Sequence, residues 1–212
     1  MIWYKLLALF AIGICFLLLL FHFIRLIKLG APKDYARKKG NTGQGIAYSM
    51  TKAMSPVQKE SAYMHLPTYS AGMVYHLGTF LSFAILVLSF FYVNWPSGVI
   101  VFFTVYLALS FLAGIFILVK RIVKEQLRLL SNPDDYISNI LVTLFQLFTI
   151  GIFWIQALYP YYFIIVSILF IYLPAGKLKH LLYFFAARYH LGFFYGWRDV
   201  WPPKTIKYLN KK

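Results

Sequence analysis

The sequence predicts an all-α polytopic membrane protein: a five-transmembrane-helix bundle with the N-terminus outside and the C-terminus in the cytoplasm (N-out/C-in). Three observations carry that expectation. Hydrophobic residues make up 61% of the 212 positions and charged residues only 13%, against about a quarter charged in a soluble domain. Several apolar runs reach or approach the roughly 20 residues a helix needs to cross a bilayer. Those runs are continuously apolar, whereas a membrane β-strand alternates. A soluble enzyme and a disordered tail are both excluded by this composition.

The first apolar segment spans 3–27. Its run is longer than a signal-peptide core, only Lys5 precedes it, Arg25 and Lys28 follow it, and no small-residue cleavage site appears. It reads as an uncleaved anchor. The second segment covers 68–93 and the third 97–119, parted by Asn94-Trp95-Pro96. The fourth covers 136–158, and the fifth covers 161–174 and continues past Pro174. No internal repeat is visible, and the spans leave room for a single domain with a cytoplasmic loop 28–67 and a cytoplasmic tail 177–212. Ser55-Pro56 predicts a short surface helix through Tyr63, with Ser as N-cap and Pro in the first turn. The tail 177–196 mixes Leu, Phe and Tyr with Lys and Arg, which suits an interfacial segment or a docking surface for a partner.

Charge placement orients these segments. Lys28, Lys33, Arg37, Lys38, Lys39, Lys52 and Lys59 lie in the first connection, and Lys120, Arg121, Lys124 and Arg128 in the third. The tail carries Lys177, Lys179, Arg188, Arg198, Lys204, Lys207, Lys211 and Lys212. The two intervening turns carry none, and Lys5 alone lies on the opposite side. The positive-inside rule then puts the chain in the cell's inner (plasma) membrane with its basic face in the cytoplasm. The formal charge of +15 reads as this orientation signal, with some attraction to anionic lipid, and not as nucleic-acid binding. The single cysteine, Cys15, excludes a disulfide framework and a cysteine-ligated zinc or iron–sulfur centre within this chain.

Ionisable residues within a span are functional candidates by default. His76 lies about two turns into the second segment and His180 just beyond Pro174, at matched depth from the cytoplasmic face. Two imidazoles from different helices at one depth suit the two axial positions of haem b. Gly72, one turn before His76, would let a flat cofactor approach the backbone, and Thr79, Phe80 and Phe83 follow on the same side. Lys177, Lys179 and Arg188 would lie near the haem propionates. The alternative is that His76 hydrogen-bonds another helix and His180 sits at the interface. His65 and His190 form a second pair, each about 15 Å closer to the cytoplasm if both segments stay helical. A second haem there requires helix at His65, although Pro67 starts the span just after it. His22 could reach a quinone head group or rest at the lipid interface.

These residues carry a family likeness. Tyr75-His76-Leu77-Gly78 and Pro174-Ala175-Gly176-Lys177-Leu178-Lys179-His180, at the ends of their spans, resemble the haem b membrane subunit (gamma subunit) of respiratory nitrate reductase. The likeness extends to related anchors of sulfite-reduction and heterodisulfide-reductase-like complexes. It covers about residues 68–195 and leaves the loop 28–67 unplaced. It implies that His76 and His180 ligate one haem b, that quinone or quinol is the substrate, and that a cytoplasmic iron–sulfur protein is the partner. The second, outer haem of that family would fall near Leu86 and Tyr162, where no histidine stands. Two rivals come from other classes. A haem-free scaffold docking a cytoplasmic complex explains the charge but not the histidines, and a transporter lacks acids within its spans.

Overall fold

The computed structural model describes residues 2–30, 33–55, 64–91 and 93–203. Among the described residues eight α-helices follow in chain order: α1 (Trp3–Lys28), α2 (Thr42–Met50), α3 (Leu66–Ser89), α4 (Ser97–Val123), α5 (Glu125–Leu129), α6 (Pro133–Trp154), α7 (Tyr159–Tyr172) and α8 (His180–Trp197). There is no strand among the described residues. The helices α1, α3, α4 and α6 are each long and apolar enough to cross a membrane. A fifth crossing results if 156–172 and 177–197 are taken as one broken span. The protein is therefore a helical membrane bundle. The surface helix expected from Ser55-Pro56 falls on 56–63 and, like the basic tail beyond 203, lies outside the described residues.

Local chemistry sets the helix ends. Pro67 occupies the first turn of α3, where its missing N–H costs nothing. Asn132 caps α6: its Oδ1 accepts from the Asp135 N–H at 3.2 Å, and the Asp135 carboxylate accepts from the Asn132 N–H at 3.0 Å. The fourth segment ends at Trp154, earlier than the expected 158, because Ile155 is extended and a 3-10 turn at Gln156–Leu158 leads into α7. The fifth ends at Tyr172, two residues before Pro174, and helix resumes only at His180. A proline at 174 lacks the N–H that would bond back to the preceding turn and crowds its carbonyl.

The chain forms two compact units. The first comprises residues through Leu19 together with His65–Lys179. Its core joins Tyr75, Ile85 and Leu86 of α3, Leu107 of α4, Val142 and Phe145 of α6, and Tyr162, Phe163, Val166 and Leu169 of α7. Small residues let these helices approach. A Cβ at Gly114 would fall 2.5 Å from the Tyr75 ring and 2.7 Å from Thr143 Oγ1, so α3 and α6 meet α4 at a glycine. Lys5, near the start of α1, donates to the Ser89 carbonyl at 2.8 Å. It thereby places a cation on the C-terminal carbonyls of α3, where the helix dipole favours it.

The second unit comprises Leu20–Met64 and the chain from His180 onward. Its centre is the pairing of α2 with α8, which meet backbone to backbone through Gly45, Gly192 and Gly196, with Gly40 pressed on the end of α8 just before α2. Ser49 Oγ donates to the Arg188 carbonyl at 2.7 Å, and Arg188 Nε returns a bond to the Ser49 carbonyl at 2.8 Å. Trp197 Nε1 donates to the Ala36 carbonyl at 2.7 Å, and the Arg198 guanidinium grips the Asp34 carboxylate. The loop 28–67, which the family likeness leaves unplaced, thus contains a helix, Thr42–Met50, built onto the tail.

The Asp34 contact predicts a pH dependence. The Arg198 hydrogen bond, aided by the Ala36 N–H, holds the Asp34 carboxyl below the usual carboxylate range. A depressed folded-state pKa means the contact contributes above the unfolded value, near 3.9, and fades as pH falls through the still lower folded value. Hydrogen exchange of the 33–40 segment is expected to be flat between pH 5 and 8, after correction for the intrinsic rate, and to rise only below about pH 4. Arg198→Gln is expected to remove that acid transition, and a transition near neutrality would reject the assignment.

Candidate functional site

The buried stripe of α3 is Tyr75, Gly78, Ser82, Ile85 and Leu86, the 3–4–7 spacing of a packed helix face. His76 is exposed on the opposite, apolar face, where Met73, Leu77, Phe80 and Val87 also point outward. An ideal Cβ at Gly72 meets no atom within 4 Å, so packing does not require a glycine there. The backbone is therefore open at Gly72, one turn toward the helix start from His76.

The expected pocket residues divide. Phe80 shares the outward face with His76. Phe83 turns inward, its ring centroid 5.2 Å from Phe145 and 5.8 Å from Phe170. Thr79 Oγ1 donates to the Tyr75 carbonyl at 2.8 Å and accepts from Gln146 Nε2 at 2.9 Å. Both therefore serve the interior of the first unit. Leu86 and Tyr162 are 2% and 0% exposed. Their positions are filled by the same apolar cluster, where Phe145 stacks on Tyr162 at 6.0 Å.

His180 is the first residue of α8 and is exposed. It follows the 3-10 turn Lys177–Lys179 and belongs to the second unit, whereas His76 belongs to the first. The basic residues around it have protein partners. Lys177 Nζ donates to Asp135 Oδ1 at 2.6 Å, and Lys179 Nζ to the Ala175 carbonyl at 3.4 Å. Arg188 is spent on the Ser49 carbonyl. His65 is the N-cap of α3, its carbonyl accepting from the Tyr69 N–H at 3.0 Å, so the helical rise to His76 runs unbroken from Leu66. His190 is exposed on α8 and borders an apolar crevice with Phe185 and Tyr189. His22 Nδ1 lies 3.2 Å from the Tyr183 hydroxyl. Among the described residues, no three His, Cys, Asp or Glu side chains converge as a metal site. A bis-histidine haem needs only two.

Sequence reasoning missed the polar interior of the first unit. Gln146 is wholly buried, and its Nε2 also donates to the Tyr75 carbonyl at 3.2 Å. The Tyr75 hydroxyl lies 2.9 Å from Thr143 Oγ1 and donates to the Asn139 carbonyl at 3.1 Å. A signal was present: Asn139, Thr143, Gln146 and Thr149 recur at helical spacing along α6, opposite Tyr75, Thr79 and Ser82 of α3. No family description, curated protein or solved structure matches this chain.

Proposed function

We propose that the chain is a cytochrome b-type membrane anchor, passing electrons between a membrane quinone or quinol and a cytoplasmic iron–sulfur protein. The observation that supports this reading is His76 on the outward apolar stripe of α3, beside the open backbone of Gly72 and next to Phe80. A haem bound there would supply one-electron chemistry, and His76 and His180 are the residues that would hold it. The pairing with His180 rests on the sequence, through the motif from Pro174 to His180. Lys177 and Lys179, just before the second ligand, are the bases the sequence offers to propionates, and a haem there would compete with Asp135 for Lys177 and with the Ala175 carbonyl for Lys179, while Arg188 has its own task on Ser49. The chain has no iron–sulfur ligands of its own, so a partner supplies them. The basic loops set the side on which it docks, with the N-terminus outside and the tail in the cytoplasm.

The test is a reduced-minus-oxidised spectrum of the purified chain, made in haem-replete cells. A b-type α band is expected, and His76→Ala and His180→Ala should each abolish it. A normal band in either variant rejects that residue as a ligand. A haem content near one per chain is expected; two per chain would assign His65 and His190 to a second haem. A colourless preparation would favour the haem-free scaffold.

A further inference from the structure

Besides Arg121 Nε in the last turn of α4, three buried side-chain atoms of the first unit have no hydrogen-bond partner among the described residues: Ser82 Oγ, Gln146 Oε1 and Tyr162 Oη. Ser82, Gln146 and Tyr162 are each 0% exposed. The side chains of Thr149 and Ser89 neighbour the Tyr162 hydroxyl, but neither closes a hydrogen bond to it. An orphaned polar atom in an apolar interior costs roughly 1–3 kcal/mol, so each of these atoms calls for a partner. Water is the one small group able to serve a hydroxyl, an amide oxygen and a phenol together.

The three atoms belong to a longer file. At one end, half-exposed Asn139 accepts from Thr143 Oγ1 at 3.3 Å, and Thr143 meets the Tyr75 hydroxyl. One turn along α6 comes Gln146, bonded to Thr79 of α3. Ser82 and Thr149 lie about one turn further along each of these helices, then Tyr162 and Ser89. Ser89 lines a cavity of about 490 Å³ together with Tyr4, Lys5, Gln156 and Tyr159. From Tyr75 to Ser89 along α3 the rise is about 21 Å, most of the roughly 30 Å hydrocarbon thickness.

We propose that this file is a proton path: water held by Ser82, Gln146 and Tyr162 joins the hydroxyls of Tyr75 and Thr143 to the cavity at Lys5. A proton enters at one end, each hydroxyl or water accepts one and releases one, and a proton leaves at the other end. Nothing is oxidised or reduced, and the driving force is the proton gradient or the membrane potential. The path does not depend on haem, and its test reads a different quantity from the haem test.

The experiment uses the full chain in liposomes that enclose a pH dye, with a potassium diffusion potential set by valinomycin. Proton entry is expected to be several-fold faster than in empty vesicles. Gln146→Leu and Tyr162→Phe should each remove most of that increment. Ser167→Ala, which removes a buried hydroxyl that is not a member of the file, should leave it intact. A wild-type rate equal to that of empty vesicles overturns the proposal, as do well-folded Gln146 and Tyr162 variants with unchanged flux. If those variants fail to fold, the wild-type chain decides alone through infrared spectra in heavy water. Exchange of the buried phenol and amide within minutes supports a wet file, and protection for hours overturns it.

Discussion

Gly45→Ala or Gly192→Ala is expected to break the second unit apart at its helix pair. A Cβ on Gly45 would stand 2.5 Å from the Gly196 Cα and 2.9 Å from its nitrogen. A Cβ on Gly192 would stand 2.5 Å from the Ile46 Cα and 2.9 Å from the Gly45 carbonyl oxygen. The obstructing atoms are backbone on both sides, so no side chain can rotate aside. The helices must separate, and the reciprocal bonds between Ser49 and Arg188 go with the contact. Overpacking of this kind costs about 1–3 kcal/mol, with the upper end expected where backbone is the obstacle. Gly43→Ala is the control. On the same helix, its Cβ would meet only the Asn41 side-chain oxygen, at 3.3 Å, and alanine is the better helix former by up to about 1 kcal/mol. Hydrogen exchange of 42–50 and 180–197 checks the result. Protection should collapse in the first two variants and hold in the third. Equal protection in all three would mean that the close glycine contact carries no stability.

That pairing also shows what composition hides. The spans were legible because hydrophobic length is a property of single segments, and their ends were set by Pro67, Asn132 and Pro174, which act locally. The fit of α2 to α8 was not legible. It depends on two glycine sets about 150 residues apart, and each set alone reads as loop or as helix-breaking. The outward turn of His76 could be derived only once the phase of α3 was known: Gly78 and Gly114 fix that phase by bringing Ser110 and the Tyr75 ring against the backbone. Phe83, counted with the histidine by its spacing, turns inward for the same reason. The polar file escaped notice because its members are Ser, Thr, Gln and Tyr, which register as neither charged nor apolar. A search for charged residues within the spans passes over them.

Removing the Asp135 carboxylate is the second large effect expected, because one group there serves three elements. Its oxygens take the Lys177 ammonium at 2.6 Å, the Arg121 guanidinium at 3.1 Å and the Asn132 N–H at 3.0 Å. The end of α4, the cap of α6 and the turn leading to α8 thus depend on a side chain only 9% exposed. Gly176 presses the same turn inward, since a Cβ there would stand 2.8 Å from Asp134 Oδ1. Asp135→Ala leaves two cations facing each other and the helix cap half made. Breaking a buried pair costs 3–5 kcal/mol. Lys177 and Arg121 are 49% and 31% exposed, so water screens part of this, and about 2–3 kcal/mol is the reasonable expectation. Asp135→Asn keeps an oxygen for the Asn132 N–H and should lose less than Asp135→Ala. Neutralising Lys177 alongside should recover part of the loss, because the repulsion disappears with it. A double-mutant cycle on thermal stability measures that coupling. A coupling of zero would show that the turn before His180 is held by packing alone. If His180 is a haem ligand, Asp135→Ala should also weaken the α band even though Asp135 is not itself a ligand, because the turn that presents the second imidazole has lost its anchor.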